Sequence, residues 1–293
     1  PQDEFRIILI GDSAAWGTLL KPEETLSGLI NAENLTTADG KQVRAYNLAY
    51  PTLSLTKDLM ILDAALRFAP NLILWPVTLE SFPKKVQINT PLVANNPHRV
   101  KPLLDHFDLG LESYFEDFVE TSYWERTLIG RRRAILDAIQ LQLYGVMWAA
   151  TGIDQTYPTD YTPAQRDFEA ENDEFQGWGP PTLPLTLLAT DVLKAGAALA
   201  GEVPVLVVNE PILISQGQNS AIRYNHFYPR WAYNQYRLTL AERSVYASWD
   251  YVDLWDFVPP QEFTNSAVHL TPAGMRLYFQ SLLPTLQRAC CQQ

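Results

Sequence analysis

Five short apolar runs recur along the chain, each followed within a few residues by glycine, proline or a polar turn: 5–10 (FRIILI), 42–48 (QVRAYNL), 71–77 (NLILWPV), 203–211 (VPVLVVNEP) and 251–255 (YVDLW). In the first, Phe5, Ile7, Ile8, Leu9 and Ile10 leave a single polar position, so the run reads as a strand buried on both faces rather than on one. Helical apolar spacing fills the intervals. Residues 19–35 carry it, and over 53–68 Leu55, Leu59, Leu62 and Leu66 share one helical face. Helices follow at 185–199, 228–249 and 271–287, the last with Pro272 near its first turn. Strand, helix, strand at short spacing implies right-handed crossovers. The expected fold is therefore α/β, a parallel sheet with helices on both sides.

The rhythm fails between residues 82 and 184, a proline- and aromatic-containing stretch with an acidic segment around Glu169 to Glu174. With 293 residues and 47% hydrophobic content, the chain can bury one large core, so we expect a single domain over 1–293 interrupted by an insertion at 82–184 after the third strand. Within the insertion, 131–153 reads as a helix that starts on Arg131, Arg132 and Arg133 and is charge-free and apolar after Asp137. Its apolar part is too short to span a bilayer. The expectation is a helix packed on the main domain; a substrate-covering lid and a membrane-surface element are the alternatives.

The charge balance excludes one class of partner. With 22 basic and 33 acidic residues, the formal net charge of -11 repels phosphate backbones, so no nucleic acid is expected. Cys290 and Cys291 are adjacent at the C-terminus and suggest neither a disulfide framework nor a metal site. Because the chain begins at Pro1 rather than Met, an N-terminal signal or anchor segment is expected to precede it.

Two places carry residue types suited to nucleophilic chemistry. Ser13 follows Gly11 and Asp12 at the carboxyl end of the first strand, where open α/β sheets place their ligands and where helix amides are at hand for an oxyanion. A cap for the next helix is the competing role for Asp12 or Ser13. Of the four histidines, His98, His106 and His226 lie in the insertion or an aromatic loop, and no pair has metal-ligand spacing, so neither a metal nor a cofactor is expected. His269 differs: it stands just ahead of the last helix, in NSAVHLTPAG, where a base serving a strand-end serine is needed.

Together these two blocks, Gly11-Asp12-Ser13 after a buried strand and His269-Leu270-Thr271-Pro272-Ala273-Gly274, resemble those of the SGNH or GDSL hydrolases, a family of serine esterases and acyltransferases. The resemblance implies a flavodoxin-like three-layer α/β/α fold with five parallel strands in the order 2-1-3-4-5, with Ser13 as nucleophile, His269 as general base and the Ser13 amide as one oxyanion donor. The middle blocks depart from the family pattern. The family's glycine donor falls on Thr52, in NLAYPT, and its asparagine block falls on the region of Val77 to Glu80, which has no asparagine, so the Thr52 amide and Thr78 are the expected substitutes. The aspartate expected three residues before the histidine is Ser266, with Asn265 beside it; Asn265, Ser266 or a backbone carbonyl then orients the ring, and Asp250, Asp253 and Asp256 are more remote candidates. The resemblance implies a carboxylic ester hydrolase or O-acyltransferase working through an acyl-enzyme, on a small-molecule or carbohydrate ester. By likeness to extracytoplasmic members, that points to acylated cell-envelope sugars outside the cytoplasm, with membrane proximity through the insertion or a preceding segment. The alternative is a catalytically silent protein of the same fold that holds a glycan or lipid.

Overall fold

The structure, a computed structural model, describes residues 4–115, 122–151 and 172–291. Strand β1 (Glu4–Leu9) leads into a four-residue helix α1 (Ser13–Trp16), and α2 (Leu26–Ala32) crosses over to β2 (Gln42–Asn47). Then α3 (Leu55–Ala65) leads to β3 (Leu72–Val77). The described residues after β3 include α4 (Pro91–Ala94), α5 (Pro97–His106), α6 (Glu112–Phe115), α7 (Tyr123–Arg126) and α8 (Arg132–Ala149). Helix α9 (Asp191–Ala200) returns the chain to β4 (Val205–Asn209), and α10 (Arg230–Tyr246), β5 (Asp250–Asp253) and α11 (Pro272–Cys291) complete it.

The strands form one five-stranded sheet in the order β2-β1-β3-β4-β5, with every pair parallel. Both the parallel sense and the order agree with the sequence expectation. The continuous apolar runs are continuous because the two faces alternate along each strand and both are covered. Ile8, Ile10, Ile73, Trp75 and Val207 pack with Leu55 and Leu59 of α3, Val192 of α9 and Tyr233 of α10. On the other face, Ile7, Leu9, Leu74 and Val208 pack with Leu26 and Ile30 of α2 and with Phe279, Leu282 and Leu286 of α11. Each such side chain contributes roughly 1.5–3 kcal/mol by leaving water, which outweighs any local propensity in these elements.

Local structure departs from the expected periodicity in three places. Of the apolar spacing at 19–35 only Leu26–Ala32 is α-helical; Leu19 has φ +66°, Pro22–Glu24 forms a single 3₁₀ turn, and Thr25 caps α2 by accepting from the Gly28 amide at 3.2 Å. The helix expected from residue 185 begins only at Asp191. Leu185–Leu187 form a single 3₁₀ turn, after which the chain is drawn into extended pairing, with Ala189 N–H donating to the Phe82 carbonyl at 2.8 Å and Leu188 bridging Pro83, which stitches the exit of the long segment after β3 to its entry. Finally, α8 forms where expected, but its described side chains do not pack as a core helix does. Leu136, Ile139, Leu143, Val146 and Met147 are each more than half exposed, so an uncharged apolar run marks here a solvent-facing surface. Residues 152 and 153, the end of the expected helix, and the first half of the acidic segment, residues 169–171, lie outside the described residues.

Candidate active site

Where β1 ends, at the point of the sheet where successive crossovers leave in opposite directions, the chain turns sharply. Gly11 has φ +148°, and a Cβ there would stand 2.8 Å from the Ala15 Cβ and 3.2 Å from the Pro76 carbonyl, so this turn tolerates only glycine. The two roles weighed for the next residues are divided between them. Asp12 is the cap, its Oδ1 accepting from the Ala14 amide at 2.8 Å. Ser13 is the first helical residue, so its amide has no acceptor within the helix. Asn47, at the end of β2, ties α1 in place by donating to the Ala15 carbonyl at 3.0 Å.

Across 256 positions of sequence, His269 Nε2 lies 2.8 Å from Ser13 Oγ. On the other side of the ring, Nδ1 lies 2.9 Å from Asn265 Oδ1. An amide oxygen only accepts, so Nδ1 carries the proton and donates it to Asn265, which leaves the Nε2 lone pair to accept from the serine hydroxyl. The loop that arranges this is closed by its own backbone: Thr264 N–H donates to the His269 carbonyl at 2.8 Å, Phe263 bridges Leu270, and Leu213 N–H donates to the Ala267 carbonyl at 2.7 Å. That closure turns Asn265, four residues before the histidine, toward the ring. Ser266, the place given by the resemblance, is not the partner. Nor are the remote carboxylates: Asp253 is held by Arg237 and Asn209, each at 2.8 Å, while Asp250 and Asp256 are exposed.

The two substitute oxyanion donors use their groups elsewhere. Thr52 N–H donates to the Tyr50 carbonyl at 2.7 Å within its own turn. Thr78 is buried, with its hydroxyl 2.6 Å from the Tyr228 hydroxyl and its amide directed to Ser81 Oγ at 3.4 Å. Both corrections have one cause. Past the ends of β2 and β3 the backbone groups are taken up by tight turns, so the amides that the resemblance suggested are already engaged.

Beneath the serine lies a buried charged cluster that no motif announces. Lys57 of α3 is 0% exposed, its Nζ 2.7 Å from Asp58 Oδ1 and donating to the carbonyls of Tyr50, at 2.9 Å, and Gly11. It thereby ties the β1 turn to the β2 turn. Glu210, just past β4, is 2% exposed; burial, reinforced by Asp12 and Asp58, pushes its carboxyl well above the usual range. Burial also raises Asp12, against the pull of Lys57 and the Ala14 amide, and pushes Asp58 up to about 6. His269 moves the other way, lowered by burial and partly restored by the Asp12 charge. The available signals were a lysine beside an aspartate in a helix that is otherwise largely apolar and a glutamate directly after a buried strand.

No family model and no curated protein matches the chain. Among solved structures it is similar to a carbohydrate acetylesterase family member from Sinorhizobium meliloti, with 12% identity, 97% of this chain and 98% of that one covered, and a TM-score of 0.42. It is similar also to TesA, at 13% identity over 97% and 99% of the two chains with a TM-score of 0.46. The psychrotrophic esterase EstA from Pseudoalteromonas sp. is a third, at 11% identity over 97% and 98% with a TM-score of 0.44.

Proposed function

We propose that this chain is a serine-dependent carboxylic ester hydrolase or O-acyltransferase. The observation that carries this reading is the contact of Ser13 Oγ with the unprotonated nitrogen of His269 at 2.8 Å, with the ring held in that tautomer by Asn265. The distance lies within the range that proton transfer requires. As the Ser13 Oγ–carbon bond forms, the hydroxyl proton passes to Nε2 and the carbonyl electron pair moves onto oxygen, where the Ser13 amide is a donor. Collapse of that oxyanion expels the alkoxide, which takes the proton back from Nε2. Water or a sugar hydroxyl then repeats the sequence on the acyl-enzyme, giving hydrolysis or transfer.

The test is covalent. A fluorophosphonate probe is expected to label Ser13, and p-nitrophenyl acetate turnover to vanish in step with labelling. A folded protein that neither labels nor hydrolyses is instead a silent relative that binds its ligand, the reading favoured by the uncharged Asn265 at the orienting position.

A further inference from the structure

In a serine–histidine–carboxylate triad the carboxylate does two things: it fixes the imidazole tautomer and it offsets the positive charge that develops on the ring. Asn265 does the first and, being neutral, does not do the second. The charge has to come from elsewhere, and the carboxylate next to the serine, in its own turn, is Asp12. It precedes Ser13 directly, is 4% exposed, and is held over the start of α1 by the Ala14 amide at 2.8 Å, with its charge felt at His269. We propose that Asp12 is the counter-charge of His269, standing in the serine's own turn for the carboxylate missing from the histidine's loop. This assignment rests on the esterase reading of the Ser13–His269 pair.

The groups around Asp12 come from four elements. Lys57 and Asp58 face it from α3, Glu210 from the end of β4, Tyr278 from α11, and the Ala14 and Ala15 amides from α1. Asp12 and Glu210 are both buried carboxyls, and the charge of Asp12 pushes Glu210 up, so one proton stays with the pair. That proton resides on Glu210, because Asp12 has backbone amides to stabilise its charge while Glu210 Oε1 has no hydrogen-bond partner among the described residues. Lys57 is matched by Asp58 at 2.7 Å. One negative charge is left over, on Asp12, and the imidazolium formed during acylation neutralises it. Asp12 thus acts through His269 as a positioning residue and touches no reacting atom.

The experiment follows the His269 ring by NMR titration, with its signal identified from the His269→Gln variant, alongside the pH dependence of Ser13 labelling by a fluorophosphonate. Asp12→Asn keeps the cap to Ala14 and removes the charge. We expect its His269 midpoint to fall by about one unit or more and labelling at pH 7 to slow by roughly tenfold or more, since one unit corresponds to a tenfold change in the equilibrium. Adding Asn265→Asp is expected to raise labelling at least about tenfold more in the Asp12→Asn background than in wild type, the signature of two carboxylates serving one charge. Glu210→Gln, which removes no charge, is expected to leave the midpoint in place; a fall comparable to that of Asp12→Asn assigns the charge to Glu210 and overturns the proposal. An Asp12→Asn protein with wild-type midpoint and labelling overturns it too. If Asp12→Asn does not fold, Asp12→Ser retains the cap and takes its place, and Asn265→Asp alone still decides: a gain of roughly a hundredfold in otherwise wild-type protein shows that His269 had no counter-charge. Absence of Ser13 labelling in wild type sinks the esterase reading, whereas the NMR midpoints report on Asp12 whether or not the site turns over.

Discussion

Replacing Gly274 by alanine tests how the histidine loop is held. Gly274 lies in the first turn of α11, where alanine is ordinarily better than glycine by about 1 kcal/mol. Here the added Cβ would meet the Glu262 carbonyl oxygen at 2.7 Å, the Glu262 Cβ at 2.9 Å and Val258 Cγ1 at 3.3 Å. The nearest of these is backbone, which cannot swing aside as a side-chain tip can. The same carbonyl accepts the Thr271 amide at 2.9 Å, and the Glu262 side chain accepts from the Thr271 hydroxyl. Relieving the contact therefore moves Thr271, two residues past His269. Overpacking of this kind costs about 1–3 kcal/mol, which exceeds the propensity gain at its upper end and cancels it at its lower. The net cost of up to about 2 kcal/mol is expected to lower the melting temperature by up to about 4 °C, at roughly 2 °C per kcal/mol for a chain of this size. Ester turnover is expected to fall through kcat, because the Ser13–His269 distance changes while the substrate cleft does not. Gly145→Ala in α8, where a Cβ meets nothing within 4 Å, is the matched control and is expected to be neutral or stabilising. Thermal melts and p-nitrophenyl acetate kinetics on the two variants decide the matter. A Gly274→Ala protein as stable and active as the Gly145→Ala protein refutes the close-contact reasoning.

Ser13→Ala is expected to abolish ester hydrolysis while leaving the melting temperature within about a degree, since Asp12, not Ser13, caps α1; retained turnover would show that the hydroxyl has no chemical role. Because burial lowers His269 below its ordinary 6.5, the imidazole stays neutral into mildly acidic solution, so the acid limb of kcat/KM is expected below pH 6.5; a limb above 6.5 contradicts the geometry. The same shift makes the unfolded chain bind the proton more readily than the folded one, so this group's contribution to stability declines as pH falls from 6.5 through the folded value, measurable as a lower urea midpoint. Ser266→Asp is expected to change turnover less than Asn265→Asp, because Asn265 is the residue that meets Nδ1; the reverse ranking by steady-state kinetics contradicts the loop geometry. Lys57→Met leaves the buried Asp58 without its counter-charge, with only the Trp75 indole among the described residues donating to it, and removes one of the two donors to each of the Gly11 and Tyr50 carbonyls, a loss of about 3–5 kcal/mol that chemical denaturation will register.

Much of this molecule is legible in one dimension. Apolar runs such as FRIILI and NLILWPV can be satisfied only in a sheet covered on both sides, and the helical intervals between them then dictate parallel strands, so fold class followed from periodicity and short connections, while the strand order came with the motif resemblance. Ser13 and His269 were readable for a related reason: the ends of parallel strands are where loops converge, and both residues sit at such ends. What periodicity does not carry is the direction in which a loop side chain points. Asn265 rather than Ser266 reaches the imidazole because the bonds from Thr264 to His269 and from Leu213 to Ala267 set the turn, and those partners lie in different parts of the chain. The amides of Thr52 and Thr78 were lost to the site for the same reason, consumed by turns that only the folded backbone specifies. Burial is likewise a tertiary property. A lysine and an aspartate at 57 and 58 read as an ordinary solvated pair until α3 is laid against the sheet, whereupon desolvation makes them, with Asp12 and Glu210, the electrostatic floor beneath the serine. The uncharged run in α8 shows the converse, since hydrophobicity states what a helix would gain by being covered and only the packing decides whether anything covers it.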